Sequence, residues 1–212
     1  MRHPIDLTLY LVLDPTLCAG ENGMVQTAQI AAQSGATCVQ LRAPNWCTDK
    51  LISCGNKLKR VLAPYGVPLI VNNDVKAAQM IQADGLHIGQ SDMPAAQARE
   101  QLGPDAIIGL SITRRDEIGT LDPKLVDYAG VGPVYTTCTK KDAAPAMGPQ
   151  ELRYITEHLS VPVVAIGGIG VAQAPVMRQA GVQGIAVVSA ICGQRDIALS
   201  TRMLRCAFSQ VS

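Results

Sequence analysis

The chain has 212 residues, enough for one domain with a full core, and a net charge of +1 with a pI near 7.6. That balance gives no electrostatic footing for nucleic acid or an anionic membrane, and 3% aromatic residues provide no stacking platform for bases. Seven cysteines, an odd number and never spaced C-x-x-C, argue against a disulfide framework or a zinc site and for free thiols in a reducing cytosol.

Short apolar runs alternate with helical patterns from one end to the other. The first run, 7–13, is closed by Asp6 and Asp14, as a buried strand would be rather than a signal peptide or a membrane span. Strands are expected at 8–14, 38–42, 68–72, 85–88, 107–111, 128–131, 162–166 and 184–188. Between and after them the spacing predicts helices over 24–34, 48–63, 74–82, 94–102, 149–158, 172–180 and 197–208. The segment 114–124 carries the least regular helical pattern. Most strands are rich in Val, Ile and Leu without polar alternation, as parallel strands covered by helices require. Gly35, Gly85, Gly103 and Gly181 fall where helices stop and read as left-handed caps.

Eight such strands predict a single-domain α/β fold, a (β/α)8 TIM barrel spanning residues 1–212. An open doubly wound sheet is the competing architecture. It calls for a Gly-rich turn after the first strand, and there the chain reads DPTLCAGENG with no G-x-G-x-x-G.

In a barrel, chemistry collects where the strands end. Those ends carry Asp14, Arg42, Asn72 to Asp74, Gln90, Asp92, Ser111, Thr137 to Lys140, Gly167, Gly168 and Ser189. The run YAGVGPVYTTCTKKD (128–142) ends in hydroxyls and lysines, while VPVVAIGGIG (161–170) and GIAVVSAI (184–191) end in glycines and a serine. Backbone N–H groups and hydroxyls at such ends suit phosphate oxygens, with the lysines supplying charge, so the substrate is expected to be a phosphorylated small molecule. Cys138 has no histidine near it in sequence and reads as a passenger. His87 reads as a buried, hydrogen-bonded histidine rather than a proton shuttle, His3 and His158 as surface residues, and Trp46 as a packed loop residue. Asp14 is either a pocket residue or the start of an Asp-Pro turn, and Lys141 and Asp142 either a solvated loop face or a lid.

Seven runs carry a family resemblance: QLR (40–42), VNND (71–74), ADGLHIGQSD (83–92), GLSI (109–112), GPVYTTCTK (132–140), AIGGI (165–169) and AVVSAI (186–191). In order and spacing they resemble the thiamine phosphate synthases. The resemblance implies a cytoplasmic transferase of thiamine biosynthesis that joins the pyrophosphate ester of a hydroxymethylpyrimidine to a thiazole phosphate and releases pyrophosphate. Its chemistry is dissociative: pyrophosphate leaves, and the thiazole nitrogen captures a pyrimidine cation. It implies Mg²⁺ as cofactor, small phosphorylated substrates as partners, and leaves a homo-oligomer open. Carried over by position, Gln40, Arg42, Asn72 and Ser111 contact the pyrimidine pyrophosphate, and Lys140 the leaving pyrophosphate. Arg42, Lys140 and Ser111 are then the catalytic residues. Thr137, Thr139, Gly168, Val188 and Ser189 match the thiazole phosphate cradle. Asp92 matches a Mg²⁺ ligand, and Asn73 stands at the position of a second.

Two departures stand out. The family run QLREK is QLRAP here, so Pro44 replaces a pyrophosphate lysine with a residue lacking both charge and N–H. The family pair Asn-Asp is Asn72-Asn73, which turns a metal carboxylate into an amide. Two alternatives share this barrel. One is an isomerase like the related thiazole tautomerase, which would want a histidine where Thr113 stands. The other is a non-catalytic binding paralogue, which Pro44 and Asn73 would allow and Arg42, Lys140 and Asp92 argue against.

Overall fold

A computed structural model describes residues 5–137, 139 and 144–209. Eight strands, β1 (Leu9–Leu13), β2 (Cys38–Leu41), β3 (Leu69–Asn72), β4 (Gly85–Ile88), β5 (Ile107–Ile112), β6 (Tyr128–Val131), β7 (Val163–Ile166) and β8 (Gly184–Val187), pair in chain order into a closed barrel. Every pair is parallel, and the ring closes where Leu9, Tyr10 and Leu11 stand opposite Ile185, Ala186 and Val187. The (β/α)8 expectation is met, with strand bounds within about two residues of those read from the sequence.

Alternation along each strand splits the apolar residues into two cores. Tyr10, Val12, Cys38, Ile70, Tyr128, Val164 and Ala186 fill the inside of the ring, together with Leu7. Leu9, Leu11, Leu13, Val39, Leu41, Val71 and their counterparts face out and pack under the helices. Those helices are α1 (Glu21–Ser34), α2 (Thr48–Leu62), α3 (Val75–Ile81), α4 (Ala95–Leu102), α5 (Gly148–His158), α6 (Ala174–Gln179) and α7 (Ile197–Ser209). Among the described residues no helix is long and apolar enough to cross a membrane.

Two expectations are corrected. Between β5 and β6 there is no α-helix, only a 3-10 turn over Arg115–Thr120. Buried Glu117 accepts the N–H and hydroxyl of Thr113, which draws the turn tight, and Gly119 and Pro123 stop it growing. Gly85 is not a helix cap but the first residue of β4, where an added Cβ would lie 2.1 Å from Ile107 O. The left-handed cap of α3 is Gln82 instead, at φ 52°. The helix itself starts at Val75, because Asp74 is its N-cap and accepts Ala77 N–H at 2.8 Å.

Candidate active site

A cavity of about 430 Å³ opens at the carboxyl end of the barrel. Its inner walls are apolar, made by Val12, Val164, Ile166 and Ala186. Around them stand Gln40 and Arg42 from β2 and the turn after it, Asn72 ending β3, Ser111 of β5, and Thr137 and Thr139 beyond β6. Gly168 after β7 and Val188 and Ser189 after β8 complete the opposite side. Nine positions read from sequence as substrate contacts therefore converge on one space, because parallel strands bring their ends to one face. Lys140 and Cys138 lie outside the described residues, as do Lys141 and Asp142.

The glycine pair after β7 has a packing reason. Gly168 sits at φ 65°, and a Cβ there would lie 2.7 Å from both Thr136 O and Tyr135 Cβ. Tyr135 N–H donates to Gly167 O (3.0 Å) and Val134 N–H to Ile166 O (2.9 Å), so the segment leading to Thr137 and Thr139 is fastened to the end of β7. This close approach also makes the two hydroxyls and Gly168 neighbours in the cavity wall.

Below the polar rim runs a hydrogen-bonded row in which His87 is the buried, hydrogen-bonded histidine expected from the sequence, while its two tyrosines were not foreseen. Gln40 Nε2 donates to Tyr10 Oη at 2.9 Å, and the Tyr10 and Tyr128 hydroxyls are 2.8 Å apart. His87 Nδ1 lies 2.9 Å from Tyr128 Oη and His87 Nε2 2.9 Å from Ser111 Oγ. Burial holds the His87 imidazole down at about 4, so it is neutral near pH 7, and burial pushes both tyrosines well above their usual range. Period-two alternation counted back from Val12 puts Tyr10 inside the ring, which was the available signal.

Among the described lining residues Arg42 carries the sole formal charge, and no carboxylate lines the cavity. Asn73 and Asp92 are not lining residues; they sit on the loops leaving β3 and β4 at the same end. Asn73 is exposed, in the left-handed region at φ 62°, and donates its N–H to His87 O (2.9 Å). Asp92 uses one carboxylate oxygen to accept Gly89 N–H at 2.7 Å. A carboxylate and an amide carbonyl are hard oxygen donors and fit Mg²⁺ in kind. They are few, since no three His, Cys, Asp or Glu side chains cluster among the described residues, so an ion here needs further oxygens from its ligand and water. Asp74 is committed elsewhere: besides capping α3 it accepts the Thr48 hydroxyl at 2.8 Å. Asp14 caps its own turn, accepting Thr16 and Leu17 N–H at 2.9 Å, which settles it as the Asp-Pro turn residue.

A sequence profile described as thiamine monophosphate synthase matches residues 9–191. The thiamine-phosphate synthase of Laribacter hongkongensis is 44% identical over 96% of both chains. The chain belongs to the thiamine monophosphate synthase family. The thiamine-phosphate synthase of Azorhizobium caulinodans is 43% identical over 97% of this chain and 96% of its own. A solved thiamine phosphate pyrophosphorylase from Pyrococcus furiosus superposes with a TM-score of 0.85 at 34% identity, covering 96% of each chain. A 3-hexulose-6-phosphate synthase at 16% identity and a TM-score of 0.72 shares the fold alone. Family membership makes this an enzyme of thiamine biosynthesis. It also sharpens the departures: Pro44 is an exposed loop residue, and beyond it Trp46 packs on the core with Lys50 Nζ 4.1 Å over its ring.

Proposed function

We propose that this barrel joins a hydroxymethylpyrimidine pyrophosphate to a thiazole phosphate and releases pyrophosphate and thiamine phosphate. The observation that carries the reading is a cavity whose described lining has one cation, Arg42, several neutral donors and no carboxylate, with both nitrogens of its one histidine already hydrogen-bonded. In this reaction the C–O bond to pyrophosphate breaks with both electrons leaving on oxygen, and the thiazole nitrogen lone pair forms the new C–N bond. The nitrogen that attacks has no proton to lose, so no base is needed. What is needed is positive charge at the leaving group and two reactants held face to face. Arg42 and Lys140 supply the charge, and the apolar inner wall keeps water from the cationic intermediate. Gln40, Asn72 and Ser111 hold the pyrimidine end, while Thr137, Thr139, Gly168, Val188 and Ser189 cradle the thiazole phosphate.

Asp92 and Asn73 are the residues that would hold Mg²⁺, with the pyrophosphate providing the remaining oxygens. When bound, the ion would neutralise charge on the departing group. The tautomerase alternative lacks its shuttle: Thr113 donates its hydroxyl to Glu117 at 3.0 Å, and both nitrogens of His87 already have partners. We place the enzyme in the cytosol, in keeping with its free thiols, and take the two small phosphorylated precursors as its partners. The test is direct: purified protein, both phosphorylated precursors and Mg²⁺ should yield thiamine phosphate and pyrophosphate in equal amounts. Binding of both precursors without product would overturn the reading in favour of a non-catalytic paralogue.

A further inference from the structure

The row at the base of the cavity is one continuous chain crossing five strands: Gln40 of β2, Tyr10 of β1, Tyr128 of β6, His87 of β4 and Ser111 of β5. Its members cannot choose their roles one by one. Each hydroxyl has a single proton and a neutral imidazole a single N–H, so the direction set at one end runs through to the other. Gln40 donates from Nε2 to Tyr10. The Tyr10 proton then goes to Tyr128, the Tyr128 proton to His87 Nδ1, and His87 Nε2–H to Ser111 Oγ. In that direction every proton meets an oxygen or nitrogen. If Tyr128 donated to Tyr10 instead, the Tyr10 oxygen would accept twice and its proton would be left to the Cys38 thiol beside it, a weak acceptor.

The barrel is also built to let this pair of rings meet. His87 and Tyr128 both stand opposite Gly109, on the strands to either side of it. A Cβ at Gly109 would lie 2.2 Å from Tyr128 Cζ and 2.5 Å from His87 Nδ1, and one at Gly130 would lie 3.0 Å from His87 Cε1. Two glycines thus clear the space in which histidine and tyrosine join across an intervening strand.

We propose that His87 is a positioning residue: held by Tyr128 as the Nε2–H tautomer, it donates to Ser111 and so leaves the Ser111 proton to the substrate. At the other end, one of the two Gln40 Nε2 hydrogens is spent on Tyr10, which fixes the orientation of the amide and leaves Oε1 as an acceptor. The site then presents the Gln40 carbonyl as acceptor and the Ser111 hydroxyl as donor in fixed sense, matched to a ring that carries an amino group and a ring nitrogen. This part rests on the pyrimidine reading given above; the tautomer does not.

Two experiments test it. Long-range ¹⁵N–¹H spectra of the intact protein, in which His87 is one of three histidines, read the tautomer without any substrate. Nε2 protonated and Nδ1 unprotonated at neutral pH is the expected result, with the signals assigned by their loss in His87→Gln. An Nδ1–H tautomer would mean the chain runs backwards and overturns the proposal. The second experiment is steady-state kinetics. His87→Phe should raise KM for the pyrimidine pyrophosphate by about tenfold while KM for the thiazole phosphate stays within about twofold. His87→Gln, which keeps an N–H near the Nε2 position, should recover most of that loss. With Ser111→Ala in place, His87→Phe should add little, since its effect passes through the serine. Equal effects on both KM values, or full additivity with Ser111→Ala, overturn the positioning role. A wild-type enzyme that makes no product overturns the reaction reading instead, with the spectra still deciding the tautomer.

Discussion

At Asn73 the backbone turns left-handed (φ 62°) directly after β3, a conformation that asparagine and aspartate both tolerate. Asn73→Asp therefore changes charge without refolding the turn, and it should lower the Mg²⁺ concentration for half-maximal rate severalfold. Asp92→Asn removes the matched carboxylate and weakens the bond to Gly89 N–H, so it should cost far more. Rate measured against Mg²⁺ for the three proteins checks this; an unmoved curve for Asn73→Asp removes position 73 from the metal site. Asp74 cannot stand in for it, being tied to Ala77 and Thr48. His87 gives a second residue-scale prediction. Its imidazole is held at about 4 in the fold against an ordinary 6.5, so the unfolded chain binds more protons between those values. Stability is then full above about pH 6.5 and lost as pH falls towards 4, by at most about 3 kcal/mol. Urea midpoints at pH 7.5 and 5 should draw closer together in His87→Gln than in wild type. Rim residues such as Arg42 and Ser111 were legible in the sequence because a polar side chain closing an apolar run marks itself. Tyr10 and Tyr128 were not, since a tyrosine inside a run of Leu and Val resembles ordinary core.

At the scale of the element, the amino ends of the strands carry a device repeated four times. Thr37, Asp84, Asp127 and Gln183 each stand just before an even-numbered strand. Each side chain accepts the N–H of a residue in the odd-numbered strand before it: Leu9 (3.0 Å), Leu69 (2.8 Å), Ile108 (2.8 Å) and Val163 (2.6 Å). Each also donates its own N–H to the carbonyl of that same residue, at 2.9, 3.0, 2.7 and 2.8 Å respectively. A strand that starts at the edge of a barrel leaves its first amides unpaired, and here a side chain closes the pair in place of a further residue of strand. Asp84→Ala should thus lower stability by about 1–3 kcal/mol with kcat and KM unchanged in the folded enzyme, since the cavity is at the far end. Asp127→Ala should cost more, because Asp127 also holds Arg99 at 2.7 Å. Denaturant unfolding beside kinetics below the transition checks both. Gly168→Val belongs to this scale as well. Its Cβ would press on Tyr135 and Thr136, so it should raise KM for the thiazole phosphate more than for the pyrimidine. The alternation of strand and helix was readable from apolar periodicity. The clamps were not, because Thr, Asp, Asp and Gln share only a position, and that position has meaning once the strands are paired.

For the whole molecule, the ring closes between its first and last strands, and the helices must close around it too. Contact between α1 and α7 covers that seam: α7 packs against both α1 and α6, burying Thr201, Leu204 and Phe208. Arg205 of α7 donates to Gly35 O at 3.0 Å, tying the last helix to the end of the first. Phe208 is the chain's single phenylalanine and is fully buried under this seam, with the Arg178 guanidinium 5.6 Å from its ring centre. Truncating such a ring removes its transfer energy and leaves a cavity, which together cost about 3–5 kcal/mol. Phe208→Ala should accordingly lose stability of that order, a large part of what a domain of this size has. Because the site is assembled from strand ends inside the ring, turnover at low temperature should stay near wild type while the urea midpoint falls. Phe208→Leu, which refills most of the space, should recover most of the difference. If Phe208→Ala kept the wild-type midpoint, α7 would not be what closes the barrel. If it lost turnover while still folded, the seam would be coupled to the cavity, and the separation of a stabilising outer core from a reactive inner one would fail.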